Sequence, residues 1–195
     1  MKRIAVVDDN ASERLVLKGF IEAAGFAFDG EGANGVEAVE ICRERRPDLL
    51  MMDLRMPVKD GIKAAEEISR FYPTPIVLLT ADEDSDTARR AAEAGVMGYL
   101  MKPVRAEEIA PIVEVAITNF NELKALKEEN DNLKKALEAR KIIAKATGLL
   151  MEKEGLSERE AFARLRKISM DKRKSMAEIA EVLIMALEKG GKIQG

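Results

Sequence analysis

Four short apolar runs in the first hundred residues each end on polar side chains: IAVV on Asp8 and Asp9, LLMM on Asp53, IVLL on Thr80 and GYLM on Lys102. Runs so short and continuous are those of strands buried on both faces, the condition of a parallel sheet covered by helices. With a weaker run near Phe26 to Phe28 they predict strands at 3–7, about 26–28, 49–52, 76–79 and 98–101. Helical spacing of apolar residues recurs between them, over roughly 12–24, 34–45, 60–71 and 85–94, and from 105 onward. This alternation predicts an α/β fold over residues 1–118, a five-stranded doubly wound parallel sheet. Gly25, Gly30, Gly32, Gly61 and Gly95 are expected to serve its tight connections through their conformational freedom. Open parallel sheets bind ligands at the carboxyl ends of their strands, so Asp8, Asp9, Asp53, Thr80 and Lys102 are expected to converge on one edge.

That set suits a hard divalent cation and a phosphoryl group. Adjacent carboxylates repel unless a cation neutralises them, and Mg2+ needs only one or two carboxylates besides its waters. Asp53 would be the nucleophile, forming an acyl phosphate; Lys102 would meet phosphoryl oxygens as a point charge, and Thr80 would donate its hydroxyl. A strand-end Asp or Thr taken alone is as well explained as a helix cap; all five together are not. The pocket by itself would also fit a small phosphohydrolase.

Composition removes other chemistries. Histidine is absent, which excludes Ser-His and Cys-His nucleophiles and imidazole zinc sites. Cys42 is the only cysteine and reads as a small core hydrophobe, so no disulfide framework exists. No apolar run approaches membrane-spanning length and the first residues carry no export signal, so a cytoplasmic protein is expected. No Gly-rich nucleotide loop or second catalytic cluster accompanies the pocket, and no enzyme acting on a metabolite is expected.

Charge is divided. Residues 139–195 hold 13 Lys and Arg against 8 Asp and Glu, whereas residues 1–138 hold 19 against 27. The basic end hints at an anionic partner. Between the two lies a seam, Leu123, Leu126, Asn130, Leu133 and Leu137, with alternating spacings of three and four. This is a heptad pattern with Asn at one core position. It allows a long helix packed on its own chain, and favours a parallel homodimer through a coiled coil at residues 119–138. Two capped helices follow, Ser157 with Glu160 and Ser175 with Glu178 marking their starts. The first is expected to bury Ala161, Phe162, Leu165 and Ile168, and the second Ile179, Val182, Leu183 and Leu187 before Gly190-Gly191 ends it. With the end of the long helix they make a three-helix all-α unit over residues 139–195.

Asp8-Asp9, Asp53 followed by LRMPVKDG, Thr80-Ala81 and Lys102-Pro103 resemble the signature of the receiver domain of two-component response regulators, a flavodoxin/CheY-like fold. The resemblance implies that Asp53 is the phosphorylation site, fed by a histidine kinase. It implies Mg2+ held by Asp8, Asp9, Asp53 and the carbonyl of Arg55, with Thr80 and Lys102 on the phosphoryl group. It further implies a cis bond before Pro103, and Tyr99 as a switch aromatic that moves inward when Thr80 is recruited. Arg55 and Asp82 stand at positions that tune dephosphorylation in that family.

Residues 139–187 are similar to the ANTAR domain, the RNA-binding module of transcription antitermination regulators. Ala146, Gly148-Leu149-Leu150-Met151, Ser157, Glu160-Ala161, Leu165, Met170, Arg173 and Ile179-Ala180 carry that similarity. Thr147 departs from it, standing where Lys is frequent in the family. The similarity implies binding of paired hairpins in nascent RNA, which prevents terminator formation. Arg140, Lys145, Arg166, Lys167, Arg173 and Lys174 are the candidate RNA contacts. With few aromatics for stacking, phosphate contacts and shape are expected to dominate. A protein-interaction tail that never meets RNA is the alternative, and a DNA-binding regulator a weaker third.

Overall fold

The computed structural model describes residues 1–81 and 85–188; Asp82 and the Gly190-Gly191 helix stop lie outside them. The chain divides into two compact units, Met1–Lys124 and Ala125–Gly195. In the first, β1 (Arg3–Val7), α1 (Ala11–Ala23), β2 (Ala27–Gly32), α2 (Gly35–Glu44), β3 (Leu49–Asp53), α3 (Gly61–Phe71), β4 (Ile76–Thr80), α4 (Ser85–Glu93) and β5 (Gly98–Met101) alternate in strict order. Then come α5 (Ala106–Glu154), α6 (Glu158–Lys172) and α7 (Met176–Glu188).

The five strands form one parallel sheet in the order β2-β1-β3-β4-β5. Side chains alternate across a strand, which divides the core in two. Ala5, Val7, Leu50, Met52, Ile76 and Leu78 pack with α2, α3 and α4 on one face. Ile4, Val6, Leu49, Met51, Val77 and Leu79 pack with α1 and the start of α5 on the other. Asn10, Asn34 and Asp60 cap α1, α2 and α3 with side-chain oxygens on backbone amides, satisfying donors that a helix start leaves orphaned.

β2 runs to Gly32, well past the expected Phe26 to Phe28. It is an edge strand with a register shift against β1 between Ile4 and Val6, so pairing rather than apolar patterning defines its AFDGEG sequence. The glycines also divide. Gly25, Gly30 and Gly95 have positive φ, but Gly32 and Gly61 do not. Gly61 is required by space: a Cβ there would lie 2.5 Å from the Asp53 carbonyl oxygen.

Val58 has φ +69° although it is β-branched, a conformation costing roughly 1–2 kcal/mol. Its side chain is almost wholly exposed, so no packing is lost on replacement. Val58→Asn is expected to stabilise the first unit by about 1 kcal/mol, read as a higher denaturant midpoint at unchanged slope. Cys42 is buried, and burial pushes its thiol up to about 11 against a hydrogen bond with Thr74 that pulls the other way. It is therefore a core side chain and not a reactive thiolate.

In the second unit Ile142, Ile143, Ala146 and Leu150 of α5 pack with Ala161 and Leu165 of α6 and with Ile179, Ala180, Leu183 and Leu187 of α7. Ser157 and Glu160 form the expected capping box, and Ser175 with Glu178 makes the same reciprocal bonds. Bonding to those serines holds both glutamates below the usual carboxylate range.

Two expected core residues are outside it. Phe162 is 46% exposed and Val182 59% exposed. Each follows or precedes a buried neighbour by one position, and one step turns a helix by about 100°; Ala161 and Leu183 take the inward places. Leu123, Leu126, Leu133 and Leu137 on α5 are each more than half exposed in the single chain. Among the described residues no helix is long and apolar enough to cross a membrane.

Candidate functional site

β1 and β3 are neighbours, so the residues ending them meet. Asp8 is fully buried and Asp53 nearly so. The Asn10 amide donates to Asp8 Oδ1 at 2.8 Å, and the Arg55 amide donates to Asp53 Oδ2 at 2.8 Å. Thr80 ends β4 and is buried, and the Lys102 amide donates to its carbonyl at 2.8 Å. The peptide before Pro103 is cis.

Lys102 Nζ lies 2.7 Å from Asp8 Oδ2, 2.7 Å from Asp53 Oδ1 and 2.6 Å from Glu13 Oε2. Burial disfavours its ammonium, but bonds to Asp53, Asp8 and Glu13 outweigh that and hold Lys102 above the usual lysine value. Burial pushes the Asp53 carboxyl above its ordinary value and the Asp8 charge adds to this; Lys102 and the Arg55 amide pull against it. Asp9 is exposed at the rim. Tyr99 on β5 is 58% exposed, facing outward.

Three of the five strand-end residues, Asp8, Asp53 and Lys102, are thus in direct contact. Glu13 joins them unforeseen. Its position in the first turn of α1, after the Asn10 cap, was the only signal, and first-turn acids usually answer the helix dipole.

One ammonium among three carboxylates leaves this cluster two positive charges short of neutrality. Among the described residues no three acidic side chains by themselves form a metal-holding group. The donors are nonetheless hard oxygens, and a cation that keeps most of its waters asks for one or two carboxylates only. The residues fit such an ion.

Gly61 sits against the Asp53 backbone. Gly61→Ala must move that strand end, and is expected to cost about 1–3 kcal/mol and to slow phosphoryl uptake together, measured by unfolding and by acceptor kinetics. Unchanged values of both would show the contact to be soft.

Arg140 and Lys145 on α5, Arg166 and Lys167 on α6, and Arg173 and Lys174 just beyond it are all exposed. Lys145 pairs with Glu188 at 2.7 Å, and Arg164 pairs with Glu154. Arg173 closes α6 in the left-handed region, φ 52° and ψ 40°, where Gly or Asn is usual. Thr147 is buried with its hydroxyl on the Ile143 carbonyl at 2.9 Å, so it faces the core rather than a ligand.

Two buried carboxylates bridged by one lysine, at the carboxyl edge of a five-stranded parallel sheet, place this unit in the class of signalling receiver domains. Residues 4–114 match the response regulator receiver domain and residues 131–184 match the ANTAR domain. The chain belongs to the response regulators, with a receiver followed by an ANTAR domain. It is 39% identical over 186 residues to the transcriptional regulatory protein PdtaR of Mycobacterium tuberculosis, covering 95% of this chain and 91% of that protein. Among solved structures it is similar to the receiver domain of a modulated diguanylate cyclase from Desulfovibrio desulfuricans G20, with TM-score 0.58, 29% identity and 62% and 97% of the two chains covered. It is also similar to the receiver domain of sensor histidine kinase PA1611 from Pseudomonas aeruginosa PAO1, with TM-score 0.55, 30% identity and 60% and 98% covered. That structure has a magnesium ion coordinated in its active-site cleft.

Proposed function

We propose that this response regulator is a phosphorylation-controlled transcription antiterminator that binds hairpins in nascent RNA. A histidine kinase supplies the phosphoryl group, and Asp53 accepts it as an acyl phosphate. Asp8, Asp9, Asp53 and the carbonyl of Arg55 would hold Mg2+, which would supply positive charge against the phosphoryl oxygens. Lys102 leaves its carboxylates for the phosphoryl group. Thr80 turns its hydroxyl to the same oxygens, and Tyr99 follows inward from its exposed position. No chemistry beyond phosphorylation of Asp53 and its hydrolysis is assigned. The exposed leucine seam on α5 pairs with that of a second copy, Asn130 setting the register.

The observation that carries the RNA reading is the solvent-facing set Arg166, Lys167, Arg173 and Lys174 on and just beyond α6, an array suited to phosphates. Binding to a tandem-hairpin RNA across a salt series tests it. Affinity should fall steeply as salt rises; no binding at low salt overturns the reading. It would then favour a protein-interaction module, for which the exposed Val182 and Met185 of α7 speak. Sedimentation with and without a phosphoryl mimic tests the seam. A dimer under both conditions makes pairing constitutive, and a monomer under both removes the coiled coil.

A further inference from the structure

Arg159, Phe162, Arg166, Lys167 and Met170 recur at helical spacing along α6, on the side away from the buried Ala161 and Leu165. With Asp171 they line a shallow groove of about 360 Å3. Phe162 is 46% exposed and Met170 69% exposed, in a module whose other large apolar side chains include a packed core. Among the described residues the Phe162 ring takes part in no aromatic pair and no cation–π contact. A solvent-facing ring rimmed by three cations and one carboxylate complements a ligand that is flat and apolar on its faces and anionic along its edge. An unpaired nucleobase on its sugar-phosphate chain has that chemistry. A second copy of the chain fits less well: one ring and one methionine offer little apolar area, and the cations would need carboxylates in register.

We propose that Phe162 is a base-stacking platform, taking one splayed-out loop base of an RNA hairpin against its ring, with Arg159, Arg166 and Lys167 on the flanking phosphates. This rests on the RNA reading above and adds to it a site within the module. RNA is read chiefly where bases are unpaired, and stacking on an aromatic side chain tolerates any base while contributing strongly to affinity. The groove therefore supplies loop recognition that the phosphate contacts cannot.

The test uses the full chain and a tandem-hairpin RNA, with abasic residues placed in turn at each loop position. Phe162→Ala should weaken binding about tenfold without changing the dependence on salt. Arg166→Gln should instead lower the salt slope by roughly 0.7. One abasic position should reproduce the Phe162→Ala loss in the wild-type chain and add nothing to it in the variant. Phe162→Trp should retain affinity, and Phe162→Leu, which keeps apolar area but no flat ring, should not. Because the ring is half exposed, unfolding midpoints should be unchanged, and this is checked alongside. Wild-type affinity in Phe162→Ala or Phe162→Leu, or a loss additive with every abasic position, overturns the platform while leaving RNA binding intact. A Phe162→Ala change in self-association of the RNA-free chain, with no loop dependence, also overturns it and makes the groove a self-interface. Failure of the wild-type chain to bind any hairpin at low salt removes the RNA reading itself.

Discussion

Asp53→Asn is expected to end phosphoryl incorporation altogether, with the receiver unit still folded. The carboxylate oxygen that attacks phosphorus is lost, and an amide of the same shape is a far poorer nucleophile. The fold should survive because Lys102 keeps Asp8 and Glu13 as partners, at 2.7 and 2.6 Å. Replacement also removes a carboxylate whose burial and proximity to Asp8 disfavour its charge, so the unfolding midpoint should change little. Intact-protein mass after incubation with a small-molecule phosphodonor and Mg2+ gives the answer. A phosphoryl adduct on the variant would move the acceptor to another side chain.

Leu165→Ala should act at the opposite end of the chain. Leu165 is fully buried in the core formed by α5, α6 and α7, and truncating such a leucine costs about 2–5 kcal/mol. A unit of this size buries too little surface to absorb that loss. The variant should therefore lose cooperative unfolding of the second unit and all hairpin binding. Its receiver core is made of other residues, so phosphorylation of Asp53 should proceed at the wild-type rate. Calorimetry and phosphoryl uptake on one sample separate the two. Loss of both activities together would show that the cores are not energetically separate.

The strands β1, β3 and β4 were legible because each is buried on both faces and so spells out a continuous apolar run, and β5, although an edge strand with Tyr99 exposed, keeps the apolar run GYLM. β2 was not, since an edge strand with half-exposed residues takes its form from pairing with β1. Helix starts were legible wherever a side-chain oxygen caps an amide, as at Ser157 and Ser175. Phe162 and Val182 were misplaced because helical periodicity defines a stripe, while only packing decides which side chains at its margin turn inward. At the pocket, strand-end position found Asp8, Asp53 and Lys102. Glu13 was missed because its role depends on α1 lying over the sheet edge, a tertiary fact. Gly61 was noticed for conformational freedom, but the close approach of the Asp53 carbonyl is the operative reason.

The central claim is that the chemical state of Asp53 governs the grip of the helical module on RNA. The direct measurement is the affinity of the full chain for a tandem-hairpin RNA at fixed salt and Mg2+, with and without phosphorylation, alongside Asp53→Asn. Binding by the phosphorylated wild-type chain should be tighter, by about 5- to 150-fold for a coupling of roughly 1–3 kcal/mol, with no response in Asp53→Asn. Equal affinities for the phosphorylated and unphosphorylated wild-type chain would contradict it.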